Sequence, residues 1–310
     1  MKNKKILITG GLGFIGSHAV EELVEDNEIL IIDNESSGKI KNIENPNHSN
    51  LNILIDDLNI IGLKEVLEGV DYVFHFAAMA NVHLSIKNPF LANKNNVVAT
   101  IKLLEAVKDS DIKKFIFASS SAVYGDNLNI PLKESELPSP TSPYAASKAS
   151  CELYLKSFYE SYGLESVAFR FFNVFGPRQD PNSQYAAVIP KFIDAIMNNR
   201  QPVIFGDGEQ TRDFVFVKDL VKANIIATKS KFNGVLNLGS GHAITINQLY
   251  YIIKDILQSN LEPTYMDERV GDIKHSQANV DNLNKILFKV DPNLFKTQLK
   301  NTVEWFLENH

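Results

Sequence analysis

The chain is predicted to be an α/β protein, a doubly wound parallel sheet with a smaller, interleaved C-terminal α/β lobe. Three observations carry that expectation. The first half alternates short, nearly continuous apolar runs with segments of helical periodicity, the pattern of a parallel sheet covered on both faces. A glycine-rich turn within Ile6-Leu-Ile-Thr-Gly-Gly-Leu-Gly-Phe-Ile-Gly16 joins the first run to the first helical segment. The 310 residues, 44% hydrophobic and 22% charged, suffice for one large domain or two interleaved ones.

The elements follow in order. Ile6 onward is a buried strand, and Ser17-His-Ala-Val-Glu-Glu-Leu-Val24 continues the glycine turn as a helix. A pyrophosphate needs a tight turn, close backbone approach and helix N–H groups aimed at its charge, which Gly10, Gly13 and Gly16 supply at this junction. The second strand, Ile29-Leu-Ile-Ile32, ends in Asp33, placed to meet the ribose hydroxyls of a dinucleotide, and no Arg follows closely, which favours NAD over NADP. Ser37 to Asn52 reads as a surface loop. A third strand, Leu51 to Ile55, ends in Asp56-Asp57-Leu58, where a carboxylate either meets an adenine amino group or caps a helix over Leu58 to Leu67.

Asp71-Tyr-Val-Phe-His-Phe-Ala-Ala78 is a fourth strand with small residues at its carboxyl end, where a flat cofactor can lie against backbone; His75 within it reads as a core histidine. Asn93 to Lys108 carries Val97, Ile101 and Leu104 at helical spacing. The fifth strand, Lys114-Phe-Ile-Phe-Ala-Ser-Ser-Ser121, ends in three hydroxyls. Four prolines between Pro131 and Pro143 mark an ordered loop. Ser142-Pro143 then starts a helix that Gly163 ends, with Tyr144 and Lys148 on one face. Ser166 to Phe172 is a sixth strand. Beyond Asn173 the alternation loosens: a helix over Val188 to Asn198, a strand at Pro202 to Phe205, a possible return to the main sheet at Val235 to Leu238, and a helix over Thr245 to Leu257. The boundaries read as 1–173 for the dinucleotide domain, with a return segment near 213–242, and 174–310 for most of the second lobe.

A net charge of −6 argues against a nucleic-acid surface. The single cysteine, Cys151, has no internal disulfide partner, which fits a reducing compartment. The apolar run after Lys2 to Lys5 stops at Gly10-Gly11, and no run approaches the ~20 residues of a membrane span. A soluble, cytoplasmic protein is expected, and no metal ligand set is assigned.

A tyrosine serves as a base near neutral pH only when its phenolate is stabilised. Lys148, one helical turn from Tyr144, and the positive charge of a nicotinamide ring can do that, so Tyr144 could take a proton from an alcohol while hydride leaves for NAD. Ser120 would hold the same oxygen. Tyr-x-x-x-Lys alone carries little information; its position after a dinucleotide turn and a serine-ended fifth strand, opening a capped helix, gives it meaning.

Together, the glycines, Asp33, Asp57-Leu58, Ser119-Ser120-Ser121 and Tyr144-x-x-x-Lys148 resemble the extended short-chain dehydrogenase/reductase family, and more narrowly its nucleotide-sugar epimerases acting at C4 of UDP-glucose and UDP-N-acetylglucosamine. Further matches are Arg170-Phe-Phe-Asn-Val-Phe-Gly-Pro-Arg-Gln179, Gly206-Asp-Gly-Glu-Gln-Thr-Arg-Asp-Phe214 and Gly271-Asp-Ile-Lys-His-Ser276. The resemblance spans essentially the whole chain. It implies a Rossmann domain holding NAD through Gly10, Gly13, Phe14, Ile15, Gly16, Asp33, Asn34, Asp57, Leu58, Ala77, Ala78 and Asn96, with Tyr144, Lys148, Ser120 and Ser121 at the reacting centre. Asn81 and Asn173 would contact substrate, Asn173 at its diphosphate. Arg212 and Arg269 would neutralise that diphosphate, Asp272 would bind the uridine ribose, and Val188, Lys191 and Phe205 would line the nucleotide pocket.

Related 4,6-dehydratases carry an Asp-Glu pair after the hydroxyl residue, and decarboxylases a Glu; Ser121 and Ala122 stand there, which argues against both. In the family a large Tyr at the position of Ser276 restricts the sugar pocket and a small residue opens it to an N-acetyl group. The resemblance also implies a homodimer through helices 93–108 and 143–162, with Ala145, Ala146, Ala149 and Cys151 allowing close packing.

Overall fold

The computed structural model describes residues 1–181, 187–268 and 273–309. Among these the chain forms two compact units. The first comprises Met1–Gly125, Leu137–Phe171 and Val221–Leu236; the second begins with Asp126–Glu136 and continues through Phe172–Leu220 and the segment from Asn237 onward.

The first unit is built on a seven-stranded sheet. Its strands are β1 (Lys5–Thr9), β2 (Glu28–Asp33), β3 (Leu51–Ile55), β4 (Tyr72–His75), β5 (Lys114–Ser120), β6 (Ser166–Phe171) and the later β10 (Gly234–Leu238), in the order β10-β6-β5-β4-β1-β2-β3. The pairs from β6 to β3 are parallel. Ile6, Leu7 and Ile8 are all fully buried, which explains why β1 reads as a continuous apolar run: helices cover both faces. β1 lies between β2 and β4, so the strand order reverses there, and Thr9 pairs with Ile32 on one side and His75 on the other. The carboxyl ends of these strands form the crevice where open α/β sheets bind ligands.

Helix α1 (Phe14–Leu23) follows β1 directly. The helix expected over Leu58 to Leu67 is shorter: only α2 (Leu63–Val66) forms. Asp57 accepts a hydrogen bond from the Asn59 amide at 2.8 Å, an Asx turn that holds the backbone out of helix, and Gly62 delays its start. The helix expected over 93–108 begins earlier, after α3 (Val82–Lys87), at the N-terminal proline of α4 (Pro89–Asn93). It passes through a π-helical turn at Lys94–Val98 and ends as α5 (Ala99–Val107). α6 (Pro143–Tyr162) has the expected ends. The Ser142 hydroxyl accepts from the Ala145 amide at 3.2 Å, and Gly163 takes the left-handed conformation, φ 72°. Val73, Val97, Leu103, Phe115, Cys151 and Leu155 belong to one buried cluster.

One sequence expectation is corrected here. Ala145, Ala149 and Cys151 face this unit's own interior, at 1%, 8% and 0% exposure. They fill the space between α6 and its neighbours and are closed to a partner subunit, whereas Ala146, named with them, is exposed. Exposed apolar side chains of the same helices include Phe90, Leu91, Val98, Leu153 and Tyr154.

The second unit holds the rest. β7 (Asn173–Phe175), β9 (Thr211–Phe216) and β11 (Ala243–Thr245) form a three-stranded sheet in the order β11-β9-β7, β7 parallel and β11 antiparallel to β9. β8 (Val203–Phe205) pairs in parallel with β12 (Thr264–Met266). α7 (Val188–Met197) buries Ile189, Phe192, Ile193 and Ile196 along one face, and α9 (Ile246–Ile256) buries Ile246, Leu249, Tyr250 and Ile253. Thr245 and Gln248 make a reciprocal capping box at the start of α9. α8 (Val217–Ala227), α10 (Asp281–Ile286) and α11 (Phe295–Asn309) complete the chain. Among the described residues no helix is long and apolar enough to cross a membrane.

Candidate active site

The glycine turn is fixed by contact distances. Gly10 has φ 70°, and a Cβ there would lie 2.7 Å from the Ala77 amide nitrogen. A Cβ on Gly16 would lie 2.1 Å from the Gly10 carbonyl oxygen, so only glycine lets α1 seat against the turn. Gly13 is the N-cap of α1, with no side chain capping it and no acid in the first turn that holds Phe14 and Ile15. The positive end of α1 is thereby available to an anion.

Asp33 closes the far side. Its carboxylate accepts from the Leu12 amide at 3.0 Å and the Glu35 amide at 2.8 Å, tying the end of β2 to the glycine turn. Burial pushes its pKa up, against the pull of those two amides. Asn34 donates to Asp57 at 3.4 Å, and Asp57 is held below the usual carboxylate range, chiefly by the Asn59 amide. Leu58 is buried, and Ala77 and Ala78 are half-buried beyond β4. An uncapped helix start, an adjacent carboxylate and two small residues fit a dinucleotide.

Asn96 sits in the π-helical turn and is buried. Its side chain bonds both the amide and the carbonyl of Met79, at 2.7 and 3.2 Å, and donates to Ser147 at 2.8 Å. It therefore fixes the loop after Ala78 to α6. Asn81 caps α3 by accepting from Leu84 at 2.8 Å.

The reacting groups converge at the end of β5. Lys148 donates to the Ala118 carbonyl at 2.6 Å, its nitrogen 4.9 Å from the centre of the Phe117 ring and 5.9 Å from that of Tyr144. The Tyr144 amide donates to Ser85 at 3.0 Å, a contact from α3 that the sequence reading did not include. Burial raises the Tyr144 phenol above its ordinary value while the Ser120 hydroxyl draws it down. Burial pushes Lys148 down to about 8, so at neutral pH it is mostly ammonium. The protein alone thus leaves Tyr144 as a phenol; the expected phenolate needs additional positive charge. Ser120 accepts from the Ala122 amide at 3.2 Å, and Ser121 begins the 3₁₀ turn Ser121–Tyr124. His75 is buried with its pKa lowered to about 3, as a core residue should be.

The second unit contains a cavity of about 340 Å³ lined by Asn173, Val188, Lys191, Phe205 and Arg212, among others. These are five of the predicted substrate-side residues. Asn173 donates to the Asp213 carbonyl at 3.1 Å, and Arg212 to the Thr211 carbonyl at 2.9 Å. Ser276 is buried, its amide bonded to the Thr211 carbonyl at 3.1 Å. Arg269 and Asp272 lie outside the described residues.

Sequence reasoning missed Asp213, which accepts from Ser240 twice and from the Gly241 and Ala278 amides, at 2.7–3.0 Å. This buried hub, in the strand that carries Arg212, had one signal: an acid next to a motif arginine. Gln179 and Gln210, both in quoted motifs, also line the cavity.

A profile of the NAD dependent epimerase/dehydratase family matches residues 6–239. A UDP-N-acetylglucosamine 4-epimerase from Methanobrevibacter ruminantium M1, solved in complex with UDP-N-acetylmuramic acid, superposes with a TM-score of 0.99 at 58% identity, covering 100% of both chains. The UDP-glucose 4-epimerase of Thermotoga maritima, solved with UDP-glucose, gives 0.92 at 37% identity over 98% of this chain and 99% of that one. The dTDP-D-glucose 4,6-dehydratase of Bos taurus is 34% identical over 99% of this chain and 89% of its own length. The chain belongs to the NAD dependent epimerase/dehydratase family. Within it, it is a nucleotide-sugar epimerase of the extended short-chain dehydrogenase/reductase type, an isomerase whose cofactor is NAD.

Proposed function

We propose that the protein interconverts UDP-N-acetylglucosamine and UDP-N-acetylgalactosamine, and also UDP-glucose and UDP-galactose, by epimerisation at C4. The observation that carries this reading is the convergence of Tyr144, Lys148 and Ser120 at the end of β5, on the unit that holds the dinucleotide cradle. Tyr144 takes the proton from the C4 hydroxyl and later returns it. Ser120 hydrogen-bonds the phenol and steadies the substrate oxygen. Lys148, mostly ammonium at neutral pH, supplies part of the charge that a buried phenolate needs. NAD, when bound, supplies a positively charged ring and a reversible hydride acceptor for C4.

The second unit holds the nucleotide. Arg212 and Lys191 carry positive charge to its cavity, where a diphosphate gains charge-assisted hydrogen bonds, and Asn173 adds an amide. Arg269 and Asp272 are assigned to the diphosphate and ribose by their motif alone. Ser276 leaves room for an N-acetyl group, in keeping with the 58% identity to an enzyme named for UDP-N-acetylglucosamine. Dehydration is disfavoured, even with a dehydratase relative, because Ala122 carries no acid or base and the Ala122 amide is bonded to Ser120.

The protein is further proposed to act as a homodimer through helices 93–108 and 143–162, the first extended back to Pro89, on the strength of the exposed Phe90, Leu91, Val98, Leu153 and Tyr154. The enzymatic test is proton NMR of the protein in separate tubes of UDP-glucose, UDP-N-acetylglucosamine and UDP-glucuronate. The galacto products in the first two tubes are expected; turnover of the glucuronate alone contradicts the reading.

A further inference from the structure

Behind the reacting groups lies a buried charge pair that the mechanism does not use. Glu152 and Arg170 are 6% and 3% exposed. Arg170 grips the carboxylate with two hydrogen bonds, Nε to Oε1 at 3.0 Å and Nη2 to Oε2 at 2.7 Å. The Ser119 hydroxyl donates to the same Oε1 at 2.5 Å, and the guanidinium lies 4.6 Å from the centre of the Tyr124 ring. An ion pair of this kind is a weak source of stability, because desolvating two charges offsets much of their attraction. Its placement says more. Tyr144, Lys148 and Glu152 are spaced by four on α6 and so share one face. They address three successive residues of β5: Lys148 the Ala118 carbonyl, Glu152 the Ser119 hydroxyl, and Tyr144 the Ser120 hydroxyl.

We propose that Glu152 and Arg170 are positioning residues for epimerisation: the pair pins the end of β5 against α6 so that Ser120 meets Tyr144, and it sets the Glu152 carboxylate one helical turn from the Lys148 ammonium. The proposal rests on the reading of Tyr144 and Lys148 given above. Arg170, fixed in β6, orients the carboxylate, and Ser119 transmits that position to the adjacent Ser120 through the strand. The groups that bear on the Lys148 charge are Tyr144, Cys151 and Glu152 on its own helix, His75 on β4, and the Ala118 carbonyl and Phe117 ring on β5. Burial lowers the Lys148 pKa, while Cys151 and Glu152 raise it. Of these, Glu152 is the carboxylate paired to a fixed arginine, and its removal takes away negative charge without enlarging the site.

The test follows the Lys148 ammonium by NMR of protein carrying ¹⁵N-labelled lysine side chains, in the wild type, Glu152→Gln and Glu152→Asp. In Glu152→Gln the Lys148 titration midpoint should fall by at least about half a unit. Glu152→Asp should restore it toward the wild-type value, and the alkaline limb of kcat should move in parallel. A midpoint that stays in place in folded Glu152→Gln overturns the electrostatic part. Ser119→Ala, which deletes one hydroxyl and leaves the charges, tests the pinning: kcat should fall about tenfold with KM within about twofold. Unchanged kcat overturns it, and this arm decides if Glu152→Gln does not fold. Wild-type protein without turnover on any UDP-sugar would count against the proposed function, and the NMR midpoint would then still decide the role of Glu152.

Discussion

His75 is held by both ring nitrogens. Nε2 lies 2.9 Å from the Thr100 hydroxyl, whose own proton goes to the Asn96 carbonyl at 2.5 Å. Nε2 therefore carries the hydrogen, and Nδ1 accepts from the Thr9 hydroxyl at 2.6 Å. Burial, and after it the Lys148 charge, disfavour a second ring proton. The folded-state pKa of about 3 lies below the ordinary histidine value of 6.5, so between these values the unfolded chain binds the extra proton. Stability from this site is present above pH 6.5 and is lost as pH falls toward 3. Between pH 7 and 5 the loss should be about 2 kcal/mol, and the stability of His75→Gln, measured by urea unfolding at both pH values, should depend less on pH by that amount. At Gly16, the 2.1 Å approach to the Gly10 carbonyl means that Gly16→Ala must displace α1; NAD affinity, read by calorimetry, should fall at least about tenfold. Ser276→Tyr should reduce kcat/KM for UDP-N-acetylglucosamine at least about tenfold and that for UDP-glucose within about twofold; equal losses would count against a sugar gate. The glycines, Asp33, Tyr144 and Lys148 were legible because each sits at a fixed offset from a strand end. Glu152, Ser85 and Asp213 were not, because their roles come from contacts across 33, 59 and 65 residues of chain, with Ser119, Tyr144 and Ala278, and no local pattern encodes such contacts.

The elements that announced themselves have chemistry at both ends. α6 begins with Ser142-Pro143 and stops at Gly163, and all three behave as their residue types dictate. Ser142→Ala should lower stability by about 1 kcal/mol and Ser142→Gly by only a few tenths, measured by chemical denaturation. Equal losses would show that the cap hydrogen bond contributes little. The helix running from Pro89 to Val107 was only partly legible. Its apolar spacing is helical, but the π turn at Lys94–Val98 leaves no mark in hydrophobic periodicity. That turn carries Asn96, which reaches both Met79 and Ser147, a π-bulge beside the candidate site. The short α2 shows the opposite case, where an Asx turn at Asp57 displaced a helix that composition favoured. In the second unit β7, β8, β11 and β12 are only three residues long, shorter than the four to eight over which alternation declares itself.

The whole molecule combines a unit that carries the glycine turn and the proposed proton-transfer groups with a unit that carries the cavity proposed for the nucleotide. That division suits a reaction in which the nucleotide is held firmly and the sugar must present both faces in turn. The exposed apolar residues of α4 and α6, with Phe90 at 79% and Leu153 at 68%, belong to the proposed subunit contact. Phe90→Asp with Leu153→Asp should convert a particle of twice the chain mass into one of a single chain mass by sedimentation at micromolar concentration. A wild-type monomer would contradict the dimer. The central claim is that Tyr144 moves a proton while C4 gives up and regains its own hydride. The most direct measurement is conversion of UDP-N-acetylglucosamine in D₂O, with the product read by proton NMR. UDP-N-acetylgalactosamine that retains protium at C4, formed by the wild type and reduced at least about a hundredfold in rate in Tyr144→Phe, is the expected result. Deuterium at C4, or undiminished conversion by Tyr144→Phe, would contradict it.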